Sequence, residues 1–285
     1  MIGVYPFHEI PNDPDYEPPI DLRWGITDEL CGARRFCSNR VIIPPQSNNQ
    51  HHYHLGCEAM IYFTHGNWEV YRGIDKVPQK VGPGSCVYIP VGEPHSYANL
   101  DKSDRAYELA FYGMIPHRRF ADTIYIDGEW KDDGKVIAAP SETGQVIASD
   151  RWKPSDSTGS IAHFGKGDGV KDEATFPGLS VRWLVTKERC KSRELLGGIG
   201  TMQPLADTGF VKNTGAEMML YLFEGLLEVY DQLGRPHLVP PESFVYLPQH
   251  VAWRIRNVDQ WHSPEFYVCC GGINSVSGIN PQALG

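Results

Sequence analysis

The sequence predicts an all-β protein made of two copies of one domain, on three observations. It is rich in turn formers, with 29 Gly and 22 Pro in 285 residues. Its β-branched and aromatic runs are short and bounded by Gly, Pro, Asn or Asp, while long helical periodicities are scarce. And it repeats itself. Leu22-Arg23-Trp24 returns 159 positions later as Val181-Arg182-Trp183. At the same offset Thr27 meets Thr186, Cys31 meets Cys190, Arg34 meets Arg193, Pro45 meets Pro204 and Gly56 meets Gly215. Glu58, Met60, Tyr62 and Gly66 meet Glu217, Met219, Tyr221 and Gly225, and Glu69-Val70-Tyr71 meets Glu228-Val229-Tyr230. After a one-residue deletion, Val87-Tyr88, Pro90 and Asn99 meet Val245-Tyr246, Pro248 and Asn257. Chance does not keep so many pairs in register, so the unit is duplicated.

Residues 1–20 carry Pro6, Pro11, Pro14, Pro18 and Pro19 and read as an extended arm suited to covering a sheet edge. The first β-domain spans 21–114, with strands expected at 37–43, 50–54, 59–64, 67–72, 85–89, 96–99 and 107–112. Residues 115–178 read as a linker with short strands at 123–126, 135–138 and 145–147, then a Gly-, Ser-, Asp- and Lys-rich surface loop over 153–177. The second copy spans 179–271, and 272–285 reads as an irregular tail.

The 35 Asp and Glu against 26 Lys and Arg give a net charge of −9 without a basic stripe, which argues against a nucleic-acid partner. No apolar run approaches the roughly 18 residues of a membrane span, and the N-terminus lacks the pattern of a secretory signal. Seven cysteines form no CxxC pair and read as reduced, mostly buried thiols of a cytoplasmic protein, the adjacent Cys269 and Cys270 included.

The chemistry concentrates in residues 50–66. Gln50-His51-His52-Tyr53-His54-Leu55-Gly56-Cys57-Glu58 sets three imidazoles and a carboxylate ahead of an apolar run. Positions i and i+2 of a strand share a face, so His52 and His54 point into one space and Glu58 arrives from the next turn: half of a metal site. His51 has the opposite parity and is expected to face out, and His65, before Gly66, to lie at the surface. Gln50 shares the parity of the two ligand candidates and is either a substrate or water ligand by hydrogen bond, or a core amide.

Residues 84–99 run from Gly84 through Pro90, Gly92 and His95 to Asn99. They resemble the second signature of the cupin superfamily, Gly-x5-Pro-x-Gly-x2-His-x3-Asn, at every fixed position, and residues 52–66 resemble the first, His-x-His-x3-Glu followed by Gly. The resemblance covers both halves of the chain. It implies a bicupin, two tandem double-stranded β-helix (jelly-roll) barrels, with His52, His54, Glu58 and His95 converging as metal ligands inside the first. Such a donor set suits Fe, Mn, Ni, Zn or Cu. One departure stands out. Six residues usually separate the Glu from the Gly, whereas seven separate Glu58 from Gly66, an extra residue that a bulge near 57–59 is expected to absorb.

In the second copy the histidine positions hold Val211, Asn213 and Trp253, while Glu217 stays. The expectation is one metal per chain, with the second barrel standing in for the second subunit of a cupin dimer. The persistence of Glu217 without histidines also allows Glu58 a structural role. Met60 and Tyr62, with the parity of Glu58, are candidates to line the barrel or pack in its core, and Tyr62 joins Gln50 as a candidate catalytic residue. Arg40 and Tyr88 are weaker candidates for anchoring an anion, and Arg23-Trp24 with Arg182-Trp183 read as scaffold.

Fold does not fix reaction. The reading favoured on the sequence is an Fe(II) dioxygenase whose small aromatic or enolic substrate chelates the metal through two oxygens beside O2. This follows a partial resemblance to gentisate-type ring-cleaving dioxygenases, which have longer chains and lack the carboxylate at the Glu58 position. The alternatives are a non-oxidative isomerase, cyclase, lyase or decarboxylase using Zn, Mn or Ni, with a Tyr or His moving a proton, and a non-catalytic binding protein like the bicupin seed-storage proteins. A homodimer is also compatible with the resemblance.

Overall fold

The computed structural model describes residues 1–127, 136–142 and 144–284. Within them the chain is mostly strand, with four-residue α-helices at Asp28–Cys31 and Lys187–Cys190 and short 3-10 turns. Four sheets make two barrels. The first barrel closes a six-stranded sheet, ordered Ala162–Phe164, Cys86–Ile89, Ala59–His65, Ala106–Gly113, Phe36–Ile43 and Asp21–Ile26, against an eight-stranded one holding His52–His54 and His95–Asn99. The second closes a seven-stranded sheet against a five-stranded one. The seven begin Gly3–Pro6, Ser243–Leu247, Glu217–Glu224, Glu265–Gly271, Leu195–Met202 and Leu179–Val185, which are the repeat images of the first barrel's six in the same order. The duplication is therefore one of topology as well as of residues.

The barrels exchange edge strands. The arm strand Gly3–Pro6 covers a sheet edge, and that edge belongs to the second barrel: it pairs antiparallel with Ser243–Leu247. In return Ala162–Phe164 pairs with Cys86–Ile89 of the first. Two expectations are corrected here. Residues 153–177 are more than a loop, since they hold Ala162–Phe164 and Val170–Phe176. The tail holds Pro281–Leu284, paired with Phe210–Asn213 as Thr123–Asp127 is paired with His52–His54. These are short polar edge strands, made by the partner they pair with rather than by a pattern of their own. The linker strands Thr123–Asp127, Val136–Ile137 and Gln145–Ala148 join the eight-stranded sheet of the first barrel; Lys135 lies outside the described residues.

Strand alternation divides the apolar residues into separate cores. Ala59, Ile61 and Phe63 point into the first barrel with Cys37, Val41 and Tyr112. Met60 and Tyr62 point the other way, into a core shared with Leu195, Met219, Tyr221 and Tyr267 of the second barrel. Of the two alternatives for Met60 and Tyr62, lining the first barrel or packing in a core, core packing holds, in a core shared with the second barrel. Their side of the strand is apolar because it faces another barrel.

Glu58 has this same outward parity, and it works at the interface. Thr27 caps the helix Asp28–Cys31 by accepting from Leu30 N–H, and Thr186 caps Lys187–Cys190 by accepting from Arg189 N–H. The turn after each helix aims backbone N–H groups at the opposite barrel. Arg193 N–H donates to Glu58 Oε2 at 2.9 Å and Glu194 N–H to Glu58 Oε1 at 2.7 Å. Arg34 and Arg35 N–H donate to Glu217 Oε2 at 3.0 and 3.1 Å. The Tyr88 hydroxyl adds a bond to Glu58 Oε2 at 2.6 Å. Gly56 and Gly215, just before each carboxylate, admit no side chain: a Cβ would stand 2.0 Å from Phe120 O and 1.7 Å from Gly278 O.

Glu58→Gln and Glu217→Gln should each lower stability by about 2 kcal/mol, the scale of charged hydrogen bonds, read as equal drops in denaturation midpoint. Folded Glu58→Gln protein should keep wild-type metal content. Metal loss in that variant alone would return Glu58 to the ligand set.

Candidate metal centre

His52 and His95 lie directly opposite each other on paired strands, and Thr123 lies opposite His54. The ring centroids are 4.4 Å apart for His52 and His95, 4.8 Å for His52 and His54, and 5.4 Å for His54 and His95. One ring nitrogen of each lies within 4.8 Å of the others, and all three side chains are buried. The second nitrogens are tied back. His52 Nδ1 is 2.7 Å from Gln50 O, His95 Nδ1 3.0 Å from Glu93 O and His54 Nδ1 3.0 Å from Thr123 Oγ1. A carbonyl can only accept, so Nδ1 carries the proton in His52 and His95 and the Nε2 lone pair is left free. His54 Nε2 is buried without a hydrogen-bond partner. Rings held this way are oriented for a metal ion. Burial lowers the His52 pKa to about 4, and burial with the neighbouring imidazoles takes His54 and His95 well below the usual value. The neutral form that binds metal is the one the fold favours.

Of the other expected site residues, Glu58 is not brought to the histidines; its oxygens serve the inter-barrel turn. The seven-residue gap was the signal. Counting six residues back from Gly66 reaches Ala59, which does face the barrel interior but has no donor. Tyr62 packs on Phe223 and Tyr267 in the shared core, away from the histidines, so the site placement expected for it is corrected. Gln50 contributes its main-chain carbonyl, which orients His52. His51 does point away from the barrel interior but is buried, its ring nitrogens 2.9 Å from Ser96 Oγ and 3.0 Å from Gly73 O. His65 is exposed. Arg40 pairs with Glu242 at 2.7 Å and Tyr221 at 2.9 Å in the cleft between barrels.

Residues 39–110 match the family model described as Cupin domain. Solved structures share this fold over 99% of the chain. The oxalate decarboxylase of Bacillus subtilis at pH 4.6 is 15% identical, with 99% of this chain and 78% of that chain covered at a TM-score of 0.69. The chain has the bicupin fold, with a cupin domain at residues 39–110. The formate complex of the Lactobacillus farciminis oxalate decarboxylase is 14% identical, covers 99% and 88%, and has a TM-score of 0.69. A further Bacillus subtilis oxalate decarboxylase structure, from work on its Mn(II) centres, is 14% identical, covers 99% and 79%, and has a TM-score of 0.66. At such identity the likeness is one of fold. No curated protein sequence matches this bicupin. Among its described residues no helix is long and apolar enough to cross a membrane.

The first barrel also holds residues that the sequence did not single out. Tyr125 lies opposite His52, ring centroids 5.5 Å apart. Its hydroxyl donates to Glu17 Oε1 at 2.9 Å and accepts from Ser141 N–H at 3.0 Å. Glu17 comes from the Pro-rich arm, with a left-handed φ of 49°. Burial pushes its pKa up to about 8, against the pull of the Tyr125 hydrogen bond. Glu108, on the inward face of Ala106–Gly113, is also raised to about 8 by burial; the Tyr97 hydroxyl approaches without a bond of normal geometry, and Glu17 adds to the rise. A lone carboxylate inside the apolar run 106–112 was a readable signal for Glu108. Nothing in the arm marked Glu17. In the second barrel, the wholly buried Trp253 packs against Phe176 where the first barrel has His95, and no metal-binding cluster appears there among the described residues.

Elemental analysis should find one divalent metal per chain, and near zero in a His52→Ala/His95→Ala variant; two equivalents in the wild type would refute a single site. A second expectation concerns pH. Glu17 and Glu108 are raised in the fold, so their contribution is fully present below about pH 4.5, the ordinary carboxyl range, and is lost as pH rises through about 8. Below about pH 6.5 the depressed histidines act in the opposite sense, so the melting temperature of metal-free protein should fall as pH rises from about 6.5 to about 8, and fall less in Glu108→Gln. An unchanged slope in the variant would remove Glu108 as a contributor.

Proposed function

We propose that this bicupin is a metal-dependent enzyme carrying out non-oxidative chemistry, a decarboxylation or a related lyase or isomerase step, on a small acid that chelates the metal through two oxygens. The observation that carries the reading is the Glu17–Tyr125 pair beside His52. His52, His54 and His95 would hold a divalent ion, which supplies Lewis-acid polarisation of the substrate oxygens. Breaking a C–C bond to release CO2 leaves a carbon that needs a proton. Tyr125 stands between Glu17 and the histidines. It can give its proton and recover one from the Glu17 carboxyl, which burial keeps protonated at neutral pH. Buried Tyr97 and Tyr112 exclude water around the same space. The similar folds bear names that agree with this reading: oxalate decarboxylases, one bound to formate and one studied for Mn(II). They favour Mn over Fe here.

A second reading, the Fe(II) dioxygenase, is favoured by one observation. Three histidines without a carboxylate leave three positions of an octahedral ion for a chelating substrate and O2. One experiment separates the two. Protein loaded with Mn(II) or Fe(II) is given small 2-oxo, 2-hydroxy and dicarboxylic acids, with and without oxygen. The expected result is CO2 release or isomerisation under argon, slowed about a hundredfold in Glu17→Gln at unchanged metal content. Turnover that stops under argon and consumes O2 in step with product would replace the first reading with the second.

A further inference from the structure

Beyond the histidines, the interior of the first barrel contains an unexplained polar pair. Both amide atoms of Asn39 and both carboxyl oxygens of Glu108 are buried without a hydrogen-bond partner. The two are neighbours: Asn39 lies opposite Ala110 on paired strands, so Glu108, two residues along, is diagonal to it on the same inward face. Tyr97 approaches Glu108 and is the second residue after His95 on one strand face, a step of about 7 Å. Tyr112, on the same face as Glu108, puts its ring 5.7 Å from that of His54. The pair therefore lies about one strand step from the metal centre, inside the same walls.

Unsatisfied buried polar groups are costly, and a plain barrel core would omit them. The second copy shows this. At the repeat positions of Asn39 and Glu108 it has Gly198 and Phe266, and at those of Glu17 and Tyr97 it has Phe176 and Ile255. The second barrel lacks these four polar groups, while Asn213 and Trp253, at the positions of His54 and His95, each keep one buried polar atom without a partner. Among the described residues Arg40 points into the inter-barrel cleft, and Arg72, whose Nε is buried without a partner, lies opposite His95 at the metal end of its strand pair, so neither lies beside Asn39 and Glu108 in register.

We propose that Asn39 and Glu108 bind the far end of the substrate, and that this substrate is a metal-chelating small acid whose far end is a neutral hydrogen-bonding group such as an amide or hydroxyl. The proposal rests on the metal-chelation reading above. An amide side chain and a carboxyl offer matched donors and acceptors. A second carboxylate at that end would meet the Glu108 carboxyl and the Tyr97 phenol, one strand step from Arg72, and would be disfavoured there.

The test uses full-length protein loaded with Co(II) and three hydroxamates of equal length, which chelate through two oxygens and end in a primary amide, a carboxylate or a methyl group. Binding is read from the Co(II) absorption spectrum and by calorimetry. The amide should bind about tenfold or more tighter than either of the others. The preference should survive in Glu108→Gln and vanish in Glu108→Leu and Asn39→Leu. Equal affinity of the three for wild-type protein, with the spectrum perturbed by each, would overturn the proposal and leave the metal centre standing, without recourse to any variant. A preference that persists in both Leu variants would overturn it as well. A Co(II) spectrum that none of the three perturbs would overturn the chelation reading, and this proposal with it.

Discussion

Two buried carboxylates hold the molecule in its working form. Glu58 grips the turn after the helix Lys187–Cys190, and Glu217 grips the turn after Asp28–Cys31, each across the interface. Because the grips are reciprocal, the six- and seven-stranded sheets must face each other. That decides which side of Ala59–His65 is covered by the second barrel and which is left to line the first. The side left over is the one toward which His52, His54 and His95 point. The metal centre thus depends on an interaction with no part in metal binding.

This dependence explains how far the sequence could be read. The duplication was legible because interface and scaffold residues are kept in both copies: Thr27 and Thr186 as caps, Glu58 and Glu217 as grips, Trp24 and Trp183 donating to Asp13 and Asp172. The histidines were legible because i and i+2 on a strand share a face. The error lay in treating Glu58 as one of them. Strand parity gives two faces but does not name which is interior, and a face packed on a second barrel is as apolar as one packed inward. Tyr62 was misplaced for the same reason. Glu17 was out of reach of any local pattern, since it enters the first barrel from the Pro-rich arm and meets Tyr125 from 108 positions away.

The copies have divided their work. The first has given up a well-packed interior for histidines, carboxyls and phenols, and the second has an apolar core built around Trp253 and Phe266. Stability in such a pair can reside in one barrel while reactivity resides in the other, joined by a core that belongs to both.

The exchanged edge strands give the chain an order of assembly. Gly3–Pro6 pairs with Ser243–Leu247, which is made long after it. The Gly3–Pro6 end of the arm therefore has its partner only when the second barrel is formed, whereas the segment carrying Glu17 is held by the first barrel through Asn12, Asp13, Tyr16 and Ile20. A half-made chain can bring its three histidines and the Glu17 segment together, but Glu58 has no turn to grip until Arg193 and Glu194 are in place. The seam between the barrels is thus the last part of the fold to be completed.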